Sequence, residues 1–263
     1  MRQTLDAIGA IVGPIAALAL MYFFQSNYQL AFAVALVPAF AVVLLLYFGV
    51  KEPERKSVVS ADKLFSFKLI GVLQKEMPPQ FFALVVTVFL FSLANSSDAF
   101  LLLKAKDCGM SIISCPLVLV AINLSYALTA YPAGILADKV GPAKILATAF
   151  LLYALTYLGF GLVTEPTLML LLCLVYGLYL GFSQGVLSAL VSHLTPAHLR
   201  GTAFGIVNLA VGLALLPASL LTGALYQQFG SLVAFGTCAA LALFATIVLA
   251  FQLPALERAR ASQ

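Results

Sequence analysis

The sequence predicts an all-α, polytopic membrane helix bundle of about eight transmembrane helices, and three observations carry that prediction. Hydrophobic residues make up 63% of the 263 and charged residues only 9%, against roughly 25% charged in a soluble domain. Apolar windows of bilayer-crossing length, about 20 residues, recur at 7–24, 29–50, 81–103, 112–135, 145–163, 167–191, 202–226 and 231–253. The basic residues are also sorted. Of the 14 Lys and Arg, only Lys104 and Lys106 fall in loops on one side; Arg2, the six in 51–80, Lys139, Lys144, Arg200, Arg258 and Arg260 fall on the other. The positive-inside rule then predicts cytoplasmic termini, in the inner (plasma) membrane of a bacterium. The net charge of +4 follows from this sorting, so nucleic acid is not implied.

Several classes drop out. The first apolar run continues from Ala7 to Phe24 without a small-residue cleavage site and is read as a span rather than a signal peptide. Cys115, Cys173 and Cys238 fall inside apolar runs and Cys108 in a loop, so neither a disulfide framework nor metal spacing is present. No catalytic constellation and no nucleotide-binding glycine loop appears, so the reading is not an enzyme and no cofactor is expected.

In the first span Gly9 and Gly13 are four apart on one helical face, which favours close packing, and Pro14 weakens the backbone ladder. Residues 51–80 form the longest polar stretch, a cytoplasmic linker in which 64–73 forms either a short interfacial helix or a flexible loop. Residues 1–50 then hold two helices, and 81–263 hold six.

The third span contains Asn95-Ser96-Ser97-Asp98. Asp98 is the one formal charge well inside an apolar run, roughly 7 Å of helix rise from its outer end. A charge at mid-helix costs about 2.5–3.5 kcal/mol on insertion scales and therefore needs a partner or water. Two readings stand: a residue lining a wet cavity that contacts substrate or exchanges a proton, with Asn95 three residues earlier on the same face, or an interfacial carboxylate satisfied by Lys104. Asn123 and Tyr126 on the fourth span and Gln184 on the sixth are further candidates for a polar cavity, with interhelical hydrogen bonding as the alternative. For Tyr176 the interhelical role is favoured. His193 and His198 flank Thr195-Pro196 in a turn, where a solvated or capping role is favoured.

The fourth and fifth spans are joined by Gly134-Ile-Leu-Ala-Asp138-Lys139-Val-Gly141-Pro142-Ala-Lys144. Gly134 is expected to allow close helix approach and Gly141 to permit the tight reversal. Asp138 is placed to face a helix N-terminus, and Lys139 and Lys144 mark the cytoplasmic side. This run, Gly-x-Leu-Ala-Asp-x-x-Gly followed by a basic residue, resembles the loop signature of the major facilitator superfamily of secondary transporters.

Other features agree with that resemblance. Gly212 to Pro217 in the seventh span repeats the Gly9 to Pro14 spacing at an offset of 203 residues. That offset corresponds to six spans, the length of one repeat in a transporter of two parallel halves. Spans two, five and eight are the most uniformly apolar and are expected to face lipid. The first span resembles the superfamily's fifth-helix Gly-Pro motif, although the paired glycines of its antiporter version are Ala17 and Leu18 here, so antiport is not implied. Arg200-Gly201-Thr-Ala-Phe-Gly205 resembles the usual lead-in to the eleventh helix. On this numbering the chain carries helices five to twelve, with four expected upstream and Met1 falling inside a motif.

The resemblance implies a symporter or uniporter that moves a small solute, with protons as the coupling ion. Asp98 would be the substrate or proton residue, assisted by Asn95, Asn123, Tyr126 and Gln184. The loop from Gly134 to Lys144 would act as a gate, with Arg200 as a candidate partner of Asp138. The rival reading is a non-transporting, truncated membrane protein that associates with the missing helices or with another chain.

Overall fold

The computed structural model describes residues 28–49, 76–111 and 114–261, together with helical residues 9, 12, 13, 16, 19 and 20. The proposed interfacial helix at 64–73 lies outside the described residues, as does Pro14. The described chain is helical throughout: α1 Tyr28–Gly49, α2 Pro79–Ala94, α3 Ala99–Asp107, α4 Pro116–Val140, α5 Pro142–Leu162, α6 Pro166–Leu194 and α7 Arg200–Ala261. A 3-10 turn at Ala197–Leu199 precedes α7.

Proline and glycine set the boundaries. Helices α2, α4, α5 and α6 each open on a proline in the first turn, where its missing N–H would have had no intrahelical partner and its fixed φ is already helical. Helix α6 ends at Thr195, whose extended backbone (φ −126°, ψ 132°) is what the following Pro196 requires. Among the described residues the glycines with positive φ are Gly109, Gly141 and Gly230, and each of them turns the chain. α7 is in fact two limbs that meet at Gly230 (φ 82°, ψ 179°). The sequence ends the seventh span at 226 and opens the eighth at 231, so Gly230 falls within the expected connection, which contracts to this one residue.

Among the described residues, five helical segments are long and apolar enough to cross a membrane: 79–107, 116–140, 142–162, 166–194 and 197–258, the last spanning both limbs of α7. α6 packs along α4 and α5, while α7 packs along α2 and α5. Phe81, Leu84, Leu146, Phe160, Phe235 and Leu249 are fully enclosed between them. Aromatic packing continues that core, with the Phe91 and Phe150 rings stacked at 3.7 Å.

Two expectations are corrected here. The fifth span does not face outward as a whole: α5 has the most buried window of the five, 56%, and α4 the least, 22%. Uniform apolarity in α5 has two sources, a buried face carrying Tyr153 and Tyr157 and an outer leucine row at 151, 155, 158 and 162. Lys104 and Lys106 are not in a loop either, since both belong to α3 and Lys104 is buried, its ammonium donating to Ser231 Oγ at 2.8 Å.

Large apolar side chains cover the outside. On α1 these include Val37, Phe40 and Leu45; on the first limb of α7, Leu209, Leu213, Leu216 and Leu220. Gly9, Gly13 and Gly212 are exposed as well, and a Cβ added at any of them would meet nothing within 4 Å. These three glycines are thus not engaged in close packing among the described residues, whereas Ala214, between Gly212 and Pro217, is buried.

Candidate functional site

The long segment 79–107 is not one helix. It breaks at residues 95–98, and Asn95 leaves the helical region at φ −86°, ψ 88°. Expecting Asn95 and Asp98 to share a helical face is therefore incorrect: half-buried Asn95 closes α2 and Asp98 opens α3. The break also changes the depth of the carboxylate. Because α3 runs on to Asp107, Asp98 lies roughly 14 Å of helix rise from that end, twice the distance expected from the sequence.

A broken helix in a low-dielectric interior leaves backbone groups that must be satisfied locally. The Asn95 N–H donates to Ser92 O at 3.2 Å and the Ser96 N–H to Ala94 O at 3.2 Å. Tyr153, from α5, donates its hydroxyl to the same Ala94 carbonyl at 2.7 Å. On the other side of the break, the Ala99 N–H is accepted by Ser97 Oγ at 3.3 Å, and the Asp98 side chain makes no capping bond. The carboxylate is therefore available to another helix, and Tyr176 of α6 donates to Asp98 Oδ1 at 3.1 Å.

Asp98 stands at an exposed edge, whereas Tyr176 behind it is 2% exposed. Tyr176 belongs to a buried phenol cluster with Tyr153, Tyr157 and Tyr179. The Tyr153 and Tyr157 rings stack at 4.0 Å, and Tyr176 lies 5.4 Å from Tyr179 and 6.1 Å from Tyr153. Ser96 Oγ and Tyr157 OH, also buried behind the break, face one another but make no hydrogen bond of good geometry. The interhelical role expected for Tyr176 fits this bond, but its partner on the other helix is the candidate carboxylate itself. Lys104, the rival partner for Asp98, is held by Ser231 instead.

The remaining candidates do not converge on the carboxylate. Asn123 is half-buried and turns its amide to Leu119 O of its own helix, 2.8 Å away. Tyr126 is half-buried on α4, and Gln184 is exposed on α6, roughly 12 Å of helix rise from Tyr176. Sequence reasoning missed a close backbone contact between α4 and α6. A Cβ on Gly177 would come within 2.4 Å of Ile122 O, and one on Gly181 within 2.2 Å of Thr129 Oγ1. The signal was present as Gly-x-x-x-Gly spacing within an apolar helix.

At the end of the bundle that carries Gly141, the expected charged loop contracts to a single residue. α4 runs through Val140 and α5 starts at Pro142, so Gly141 (φ 113°, ψ 130°) makes the whole reversal. Asp138 and Lys139 are exposed in the last turn of α4. The expectation for Gly134 is corrected: a Cβ there would meet nothing within 4 Å, so it mediates no close approach among the described residues. Lys144 pairs with Glu257, at the far end of α7, at 2.7 Å, and His198 Nε2 contacts Glu76 Oε2 at 2.8 Å. Arg200 is exposed at the start of α7. Both partners of the Lys144–Glu257 pair are partly exposed, so Glu257→Gln is expected to lower stability by only about 0.2–1 kcal/mol. Lys144→Gln in the Glu257→Gln background should then add nothing, measured by thermal unfolding in detergent.

At the opposite end α3 is fastened to the joint of α7. Lys104 holds Ser231, and the Tyr226 hydroxyl donates to Asp107 Oδ2. Cys108, just beyond α3, is buried, which pushes its thiol pKa up. The thiol donates to Val163 O at 3.6 Å, in keeping with a packing role.

A family model described as Major Facilitator Superfamily matches the chain twice, over residues 1–216 and over residues 84–263. The chain belongs to the Major Facilitator Superfamily. Relatives of this superfamily member include a protein of Methanocaldococcus jannaschii described as an uncharacterized MFS-type transporter, 29% identical over 233 residues, 86% of this chain and 56% of that protein. An uncharacterized protein of Mycobacterium bovis is 26% identical over 236 residues, 89% of this chain and 57% of its own length. One from Mycobacterium tuberculosis matches to the same extent. The chain thus spans a little over half the length of these curated relatives. Superfamily membership and the apolar helices make it an integral membrane protein in contact with the lipid bilayer.

Proposed function

We propose that this superfamily member forms the C-terminal six-helix half, residues 81–263, and part of the other half, residues 1–50, of a secondary transporter that moves a small solute coupled to protons. The linker at 51–80 and both termini are cytoplasmic, and Asp98 is the substrate or proton residue. The observation that carries this reading is the helix break at 95–98, which presents a carboxylate at an exposed edge with its own capping role taken by Ser97. Discontinuous membrane helices are a recurrent way of building transporter sites, because the break offers polar groups at membrane depth where they line a cavity.

Positive-inside sorting places the Gly141 end on the cytoplasmic side. The gate is then built from the Gly141 reversal and the contacts around it, with Lys144–Glu257 as its ionic component and with Asp138, Lys139 and Arg200 on the same surface. Asn95 at the break is the nearest helper of Asp98 in sequence, while Asn123, Tyr126 and Gln184 would act on the solute away from the carboxylate.

The test is solute uptake into proteoliposomes under an imposed pH gradient, scored over a panel of solutes. Asp98→Asn is expected to abolish gradient-driven uptake and leave the helical content unchanged. Uptake driven equally well by the variant would sink the role of Asp98.

A second reading, a membrane protein that acts through association, is favoured by the unpacked apolar row Leu209, Leu213, Leu216 and Leu220. It predicts no uptake in any form and co-purification with a further membrane chain.

A further inference from the structure

We infer that Tyr176 and Tyr153 are positioning residues for Asp98, clamping the two sides of the helix break to one rigid aromatic block. The inference rests on the role proposed for Asp98 and adds the device that aims it. Tyr153 grips the last residue of α2 through the Ala94 carbonyl at 2.7 Å, and Tyr176 grips the first turn of α3 through the Asp98 carboxylate at 3.1 Å. Neither phenol has room to turn away, because Tyr153 is 0% and Tyr176 2% exposed. The block behind them is continuous: Tyr153 stacks on Tyr157, meets Phe91 edge-on at 4.9 Å and lies 4.9 Å from Tyr179.

The helix carrying Tyr176 is itself fixed. Gly177, the next residue, sits against the Ile122 carbonyl of α4 more closely than any Cβ would permit. The hydroxyl of Tyr176 is therefore delivered to a set position, and the carboxylate comes to it. The ionisable groups whose fields couple with Asp98 are Tyr157, Tyr176, Tyr179 and Cys173. Among the described residues it is Tyr176 that donates a hydrogen bond to the carboxylate. A proton or a solute donor that binds Asp98 must compete with that phenol or share the carboxylate with it. Occupancy at the exposed edge is then sensed on α6, a helix packed on both α4 and α5. By this route the site communicates with the rest of the bundle without any direct contact between the ligand and α6.

The test uses the full chain in lipid bilayers and infrared difference spectra between acid and alkaline buffer. The band lost in Asp98→Asn identifies the protonated carboxyl of Asp98. In Tyr176→Phe this band is expected at higher frequency, because a carbonyl that loses its donor stretches more stiffly. Tyr179→Phe removes a buried phenol from the same cluster without removing a bond to Asp98, and is expected to leave the band in place. An unmoved band in Tyr176→Phe, or an equal shift in Tyr179→Phe, would overturn the inference.

A thermal double-mutant cycle gives an independent answer. Tyr176→Phe should lower the unfolding midpoint in the native background and do so far less in the Asp98→Ala background. Equal drops in both backgrounds would refute the positioning role. If Asp98→Asn removes no band, proton exchange at Asp98 fails as a reading while the cycle still decides the fate of the clamp.

Discussion

Gly177→Ala is expected to destabilise the chain by about 1–3 kcal/mol, toward the upper end of the usual range for overpacking, and to separate α4 from α6. The obstacle is backbone: the new Cβ would stand 2.4 Å from Ile122 O and 3.1 Å from Tyr126 N, and 2.6 Å from the Ser125 Cβ. None of these can rotate away, so one helix must move. Gly181→Ala meets Thr129 Oγ1 at 2.2 Å and the Ala130 N at 3.2 Å, and should behave in the same way. Membrane helices associate without a hydrophobic drive between them, which makes close backbone approach a large share of their affinity. Gly134→Ala and Gly212→Ala are the matched controls, because a Cβ at either meets nothing within 4 Å. There the gain in helix propensity, up to about 1 kcal/mol in aqueous helices, should make alanine neutral or mildly stabilising. Unfolding midpoints of the four variants in detergent give the comparison. Four equal midpoints would mean that the α4–α6 contact is looser than described.

Tyr153→Phe is expected to lower stability by about 1–2 kcal/mol, since the Ala94 carbonyl at the break loses its strongest donor inside a buried region. Tyr157→Phe removes a hydroxyl that makes no hydrogen bond of good geometry and only faces Tyr153 and Ser96, and should cost less than Tyr153→Phe. Two stacked, fully buried tyrosines thus have different expected outcomes for the same single-atom deletion. Denaturant unfolding of both variants decides it, and a larger loss in Tyr157→Phe would contradict the bonding pattern at the break.

The helix ends were written plainly in the sequence, because prolines at 79, 116, 142 and 166 and glycines at 141 and 230 act through local backbone geometry. Spans were legible for the same reason, as apolar length is a local property. Asp98 also stood out, since a charge in an apolar run is conspicuous wherever it points. What it bonds to was not legible. Tyr176 lies 78 residues away, and a tyrosine in an apolar helix has the same appearance whether its hydroxyl meets a carboxylate, a carbonyl or nothing. The break itself was hidden because Asn-Ser-Ser-Asp is short enough to pass for a polar turn of a continuous helix. Glu257 was overlooked as the partner of Lys144 because their pairing depends on how the end of α7 returns beside the start of α5. Gly134 was overvalued on its motif, since no described residue would touch a Cβ there.

The phenol cluster gives the molecule an optical property of its own. The chain has ten tyrosines and no tryptophan, so its intrinsic ultraviolet emission comes from tyrosine alone. Four of the ten are gathered behind the break, and one of them holds the carboxylate. Hydrogen bonding to a carboxylate quenches phenol emission, and stacked rings exchange excitation readily, so the light leaving this cluster is tied to the state of Asp98. A single tryptophan introduced on the outer leucine row of α5 would collect that excitation with no competing indole, and would turn a silent rearrangement at the break into a change of colour.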